Sequence, residues 1–256
     1  ICRLFKDLEV EVRGSKELEI SGISSHSQVG SPGSLFIAKK GKTYNGSDLI
    51  PKAIDAVATA ILTDIYNPFL GNVVQVIASS VDELEPLLVK RYYDAPTSSL
   101  FMVGITGTNG KTTTAYIIQH LLGNCGLMGT IETIIGSQRL PAQLTTSDIV
   151  TNYKLLREMV DHKMESAVME VTSHALDQGR VEGIEFDLGV FTNLSQDHLD
   201  YHGTMEAYKA AKMQLFKHAK QAIINQDDPV GLEGITYGIE NDADFYAADM
   251  KYSLDG

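Results

Sequence analysis

Apolar residues in the first third of the chain come in short runs between polar, turn-forming stretches. Leu35-Phe36-Ile37-Ala38 follows Gly30-Ser31-Pro32-Gly33-Ser34 and reads as a buried strand leaving a turn. Thr59-Ala60-Ile61-Leu62-Thr63 and Val73-Val74-Gln75-Val76-Ile77 are runs of the same kind. Helices are expected at 47–56 and 81–93. Asp94-Ala95-Pro96 ends the second, because the residue before a proline is pushed out of helical geometry. A domain boundary is expected there, giving domains 1–95 and 96–256.

From Leu100 the rhythm changes to strand, loop, helix. Strands are expected at 100–106, 166–171, 187–192 and 222–225, with helices at 111–122, 149–162 and 204–216. This alternation predicts an α/β fold: a small α/β domain, then a domain with a mostly parallel sheet covered by helices. Ligands of such sheets sit at the carboxyl ends of the strands.

Composition narrows the picture. With 43% hydrophobic and 21% charged residues, the 256-residue chain has the make-up of a soluble globular protein. No apolar run is long enough to span a bilayer, and Ile1-Cys2-Arg3-Leu4-Phe5 lacks a signal-peptide layout. The missing initiating Met suggests a processed or trimmed chain. Cys2 and Cys125 are too few for a disulfide framework or a cysteine metal site, which fits a reducing cytoplasm. The net charge of -12 argues against a nucleic-acid partner. Small anions remain open, because a phosphate site is built locally from a few donors.

The strongest local signal is Thr106-Gly107-Thr108-Asn109-Gly110-Lys111-Thr112-Thr113, between a strand and a helix. Glycines let backbone N–H groups turn toward phosphate oxygens, and the helix N-terminus adds partial positive charge. Lys111 can reach the outer phosphates of a nucleotide, and the Thr112 hydroxyl can ligate Mg²⁺. The usual P-loop has glycine five residues before Gly110; here that position is Ile105, and Gly104 lies one step earlier. Glu170, at the end of a predicted strand, can hold Mg²⁺ next to this loop.

The form Thr-Gly-Thr-Asn-Gly-Lys-Thr resembles the ATP loop of the Mur ligases and folylpolyglutamate synthetases. Glu170-Val171-Thr172-Ser173-His174-Ala175-Leu176, with Gln178 and Arg180 behind it, looks like the MurE branch of the Mur ligases. The block 193–203 (Asn-Leu-Ser-Gln-Asp-His-Leu-Asp-Tyr-His-Gly) is similar to one shared across the superfamily. Tyr208-Lys209-Ala210-Ala211-Lys212 matches the segment whose final lysine is carbamylated in Mur ligases. The match runs from about residue 20 to about residue 230.

That resemblance implies a cytoplasmic, ATP- and Mg²⁺-dependent ligase in peptidoglycan precursor synthesis, acting as a monomer. ATP phosphorylates the D-glutamate side chain of UDP-MurNAc-L-Ala-D-Glu, and the amine of a diamino acid displaces the phosphate. Meso-diaminopimelate is the choice for that diamino acid, with L-lysine the alternative. Gly107, Thr108, Asn109, Gly110, Lys111, Thr112 and Thr113 would bind ATP. His198 would ligate a second Mg²⁺, a role its chemistry alone does not suggest. Lys212, as an N-carboxylysine made with CO₂, would become a further metal ligand. Thr145, Thr146, Thr172, Gln178 and Arg180 would touch the muropeptide. Ser147 stands where proline is usual in many relatives. The first domain would hold UDP through Ser25, Ser27, Lys42, Thr43 and Tyr44, although the usual Asp-Ser-Arg appears as His26-Ser27-Gln28.

His198 and His202 have the four-residue spacing of a helical zinc pair. Gly203 and the turn-like Asp-Tyr-His-Gly argue against a helix there. Mur ligases also carry a C-terminal domain that binds the amino acid. It would lie beyond Gly256, so the chain alone is expected not to complete ligation. A folylpolyglutamate synthetase and a non-catalytic P-loop protein remain as alternatives. A P-loop GTPase is not, since no Asn-Lys-x-Asp occurs.

Overall fold

The computed structural model describes residues 1–26, 32–40 and 45–250. The chain divides into two compact units, 1–95 and 96–256. In the first, β1 (Glu11–Arg13), β2 (Gly22–Ser24), β3 (Ser34–Ile37), α1 (Ile50–Asp55), β4 (Ala60–Thr63), β5 (Val74–Ile77) and α2 (Val81–Tyr92) follow in order. The sheet order is β1-β5-β4-β3-β2, parallel except for β1 against β5. Every residue of β3 and β4 is buried, which is why both read as continuous apolar runs instead of alternating ones. Phe36, Ala38, Ile50, Ala53, Ala58 and Ile61 form one core cluster. The helix expected at 47–56 begins as a 3₁₀ turn over Gly46–Leu49, with Pro51 opening the α-helical part.

The second unit contains β6 (Phe101–Thr106), α3 (Lys111–Leu122), β7 (Cys125–Met128), β8 (Glu132–Ile135), β9 (Gln138–Pro141), α4 (Ile149–Asp161) and β10 (Ser166–Glu170). There follow α5 (Ser173–Asp177), β11 (Phe186–Phe191), α6 (Leu199–His202), α7 (Met205–Met213), β12 (Ala219–Asn225), β13 (Ile235–Gly238) and β14 (Phe245–Tyr246). The sheet order is β14-β13-β12-β11-β6-β10-β7-β8-β9. It is parallel except for the antiparallel β7–β8 and β8–β9 pairs. β6 sits between β10 and β11, where the chain switches sides of the sheet, so the carboxyl ends of these three strands define the ligand crevice. Val103, Ile105, Val168 and Val190 on those strands pack with Ala115 of α3 in one core.

Helix ends follow ordinary capping chemistry. Asp148, Thr172 and Thr204 accept from the backbone N–H of Thr151, Ala175 and Ala207 and so start α4, α5 and α7. One expectation is corrected: Asp-Tyr-His-Gly does not exclude a helix. His198 takes a left-handed conformation (φ 51°), Leu199–His202 forms a single turn, and Gly203 closes it at φ 78°. The glycine is a helix stop, and it does not prevent the turn before it. Among the described residues no helix is long and apolar enough to cross a membrane.

Candidate active site

The loop between β6 and α3 is tied down from one side by the segment that follows β11. Thr108 N–H donates to the Asn193 carbonyl (2.8 Å) and Asn109 N–H to Asn193 Oδ1 (2.9 Å). Thr192 Oγ1 donates to the Asn109 carbonyl at 2.6 Å. Gly107 holds φ +148°, and a Cβ there would lie 1.9 Å from Thr192 Oγ1, so the loop path needs glycine at this point. The expected loop residues 107–113 thus lie on one turn leading into the N-terminus of α3, with Gly110 in the left-handed region as its cap.

Two lysines converge on one loop carbonyl. Lys111 Nζ donates to the carbonyls of Gly107 (3.0 Å) and Thr108 (2.9 Å). Lys212 Nζ, from α7, donates to the same Gly107 carbonyl at 2.6 Å. Lys212 is only 2% exposed, and its ammonium lies over the Tyr208 ring, 4.3 Å from the centroid. Burial, reinforced by the charge of Lys111 and opposed by Asp197, lowers its pKa to about 7. Burial likewise lowers that of Lys111, against the pull of Glu170 and Asp197. Tyr208, one helical turn before Lys212, holds the loop itself: its hydroxyl lies 3.2 Å from Thr108 Oγ1.

Glu170 ends β10 fully buried. Thr112 Oγ1 donates to its Oε2 at 2.9 Å, Thr130 Oγ1 to the same oxygen at 3.0 Å, and Thr130 N–H to Oε1 at 2.9 Å. Among the described residues it has no ion-pair partner. A buried carboxylate touching the loop hydroxyl, with hard oxygen donors only, suits Mg²⁺. Sequence reading missed Thr130 and Gly129, at which a Cβ would lie 2.5 Å from Glu170 Oε1. Both follow β7, a strand the apolar pattern did not reveal.

His198 is half exposed, 3.6 Å from Asp197 through its Nε2. Its ring lies 4.8 Å from that of His174 and 6.1 Å from that of Tyr208. His202 Nε2 meets Ser173 Oγ at 3.0 Å. Burial and the charges of His198, His202 and Arg180 lower the pKa of His174, with Asp200 opposing. Sequence reading gave no role to His174 or Asp197, although both lie inside the motifs it singled out.

The polar residues after β9 and β10 form a group that adjoins Glu170. Thr146 Oγ1 donates to the Glu170 carbonyl (2.8 Å) and accepts from Thr172 N–H (3.1 Å), while Thr145 Oγ1 lies 3.1 Å from Thr130 Oγ1. Thr172 caps α5. Arg180 donates to the Thr146 carbonyl and to Gln178. In the first unit Ser25 is buried just beyond β2. Ser27, Lys42, Thr43 and Tyr44 lie outside the described residues.

A glycine-rich loop at the switch point of a parallel sheet, with a lysine and a hydroxyl opening the next helix, places the second unit among the P-loop nucleotide-binding α/β proteins. The family model described as Mur ligase middle domain matches residues 105–256, and that described as Mur ligase family, catalytic domain matches residues 19–93. The chain belongs to the Mur ligase family.

Its curated relatives include UDP-N-acetylmuramoyl-L-alanyl-D-glutamate--2,6-diaminopimelate ligases. That of Chlamydia caviae is 40% identical over 98% of this chain and 55% of its own length. That of Geobacillus thermodenitrificans is 39% identical over 93% and 53%. A solved structure carrying the same enzyme name superposes with a TM-score of 0.74 at 30% identity, covering 93% of this chain and 52% of that one. A MurF structure from Acinetobacter baumannii (TM-score 0.64, 17% identity, 92% and 51% coverage) shares the fold. The chain spans about half the length of the curated relatives it matches.

Proposed function

We propose that this chain carries the UDP-muropeptide-binding and ATP-binding parts of an ADP-forming ligase that joins meso-diaminopimelate to UDP-MurNAc-L-Ala-D-Glu. The observation that carries the reading is the meeting of Lys111 and Lys212 on the Gly107 carbonyl, on the loop whose Thr112 touches buried Glu170. The names of the relatives favour meso-diaminopimelate over L-lysine. A monomer in the cytoplasm, with no nucleic-acid or membrane partner, belongs to the same reading, and the net charge of -12 speaks against a nucleic-acid partner.

The D-glutamate side-chain carboxylate attacks the γ-phosphorus of ATP, the bond to ADP breaks, and an acyl phosphate results. The diaminopimelate amine then attacks the acyl carbon, phosphate leaves, and the amine proton passes to solvent. Charge moves between oxygens throughout, so the chain's task is positioning and electrostatic stabilisation. Residues 107–113 bind the triphosphate, with Lys111 turning from loop carbonyls to phosphate oxygens. Thr112, Glu170 and His198 would hold Mg²⁺, which supplies charge neutralisation at the phosphates. Lys212 at pKa about 7 is substantially neutral at physiological pH. Its amine lone pair can therefore add to the carbon of CO₂ and release a proton, giving N-carboxylysine, a further anionic ligand. Thr145, Thr146, Thr172, Gln178 and Arg180 hold the peptide end of the muropeptide. Ser25, Ser27, Lys42, Thr43 and Tyr44 hold its UDP end.

Isothermal calorimetry tests the reading. The chain is expected to bind ATP in a Mg²⁺-dependent manner and to bind UDP-MurNAc-L-Ala-D-Glu, and to show no heat with folate or GTP. Binding of folate or GTP in place of these ligands overturns it.

A further inference from the structure

Beside the Thr145-Thr146 loop, side chains from two segments form one directed hydrogen-bond chain. The Tyr201 hydroxyl donates to Asp177 Oδ2 at 2.6 Å and accepts from Gln178 Nε2 at 3.1 Å. Gln178 Oε1 accepts from Arg180 Nε at 3.0 Å and Nη2 at 2.6 Å. Arg180 Nη1 donates to the Thr146 carbonyl at 2.9 Å. The polarity of the chain is fixed at its far end. An ionised carboxylate only accepts, so Asp177 takes the single Tyr201 proton and leaves that hydroxyl only lone pairs for Gln178. Gln178 must then turn its amide nitrogen toward Tyr201 and its carbonyl toward Arg180. Of the guanidinium N–H groups, the frame uses the one on Nε and one each on Nη1 and Nη2. It leaves one N–H on each terminal nitrogen to donate to a further acceptor such as a carboxylate.

We propose that Tyr201, backed by Asp177, is a positioning residue that orients Gln178 and Arg180 for a carboxylate of the acidic peptide substrate. It also links that pocket to the turn carrying His198, since Tyr201 N–H donates to the His198 carbonyl (3.2 Å) and its ring packs 4.2 Å from that of His174. The role rests on the proposed ligase reading.

Tyr201→Phe in the 256-residue chain keeps the ring and removes only the hydroxyl. Calorimetry is expected to show UDP-MurNAc-L-Ala-D-Glu binding weakened about tenfold, the scale of a hydrogen-bond link to charged groups. Affinity for UDP-MurNAc, which lacks the acidic dipeptide, and for ATP with Mg²⁺ should stay within about twofold. Asp177→Asn, which keeps an acceptor oxygen but loses the charge, should weaken dipeptide binding less. If Tyr201→Phe binds the dipeptide substrate as tightly as the unmodified chain, or loses all three ligands by the same factor, the positioning role is overturned. If the unmodified chain binds ATP but not UDP-MurNAc-L-Ala-D-Glu, the ligase reading itself has failed, and this role falls with it.

Discussion

Lys212 shows how the burial of one ionisable side chain costs a fold stability. On the sequence alone a lysine in a helix is a solvated surface residue, and only the family resemblance marked this one out. The fold buries it beside a second ammonium, and its pKa falls from 10.5 to about 7. Between those values the unfolded chain binds more protons than the folded one, so this residue's contribution to stability improves as pH rises through the window. Below pH 7 the full penalty applies. Lys212→Met is therefore expected to be more stable than the unmodified chain at pH 6, by on the order of 1–3 kcal/mol. The advantage should vanish by pH 10. Melting curves in CO₂-free buffer across that range check this; a pH-independent difference would contradict it. With ¹³C-labelled CO₂, a carbamate resonance should grow in above pH 7 and be missing from Lys212→Met.

At the scale of elements, β3, β4, β6 and β10 were legible because they are buried along almost their whole length and their sequences are apolar runs. The parallel β2, β13 and β14 were not anticipated, the first being three residues long and the last exposed. β7 was not: Cys125-Gly126-Leu127-Met128 has no β-branched residue, and β9 is exposed along its whole length. With that hairpin unseen, nothing in the sequence marked Gly129-Thr130 as a strand end facing Glu170. α6 was hidden for a different reason: it is a single turn set between a left-handed residue, His198, and a glycine stop, and Asp-Tyr-His-Gly read as a loop. The site is thus built partly from close approaches that only coordinates reveal. Gly129→Ala would push a methyl against Glu170 Oε1. It is expected to abolish the Mg²⁺ dependence of ATP binding while leaving α3 and its loop folded. Gly107→Ala meets Thr192 Oγ1 and a backbone angle hostile to any Cβ. It should weaken ATP binding at least tenfold, a factor worth about 1.4 kcal/mol, and lower the melting temperature as well. Equal effects of the two substitutions on nucleotide binding with and without Mg²⁺ would show that Glu170 and the loop are not separate devices.

Over the whole molecule, each unit has its own sheet and its own core, so a ligand confined to one unit should protect that unit's backbone first. On the proposed reading ATP with Mg²⁺ would bind only the folded loop, and a ligand that binds only the folded state stabilises by mass action, about 2.7 kcal/mol at a hundredfold excess over Kd. The hydrogen bonds from Thr108, Asn109 and Thr192 join the loop to the strand end after β11, while Thr112 joins it to Glu170 of β10, to which Thr130 also bonds. Slowed amide exchange should therefore spread from Gly107–Thr113 to Asn193–Ser195 and to Thr130. The amides of β3 and β4 in the first unit should keep their ligand-free rates with ATP and slow only when UDP-MurNAc-L-Ala-D-Glu is added. Exchange followed residue by residue by mass spectrometry separates the two responses. Protection of β3 and β4 by ATP alone would mean that the nucleotide is read by the first unit as well, and that the division of labour assigned to the two units is wrong.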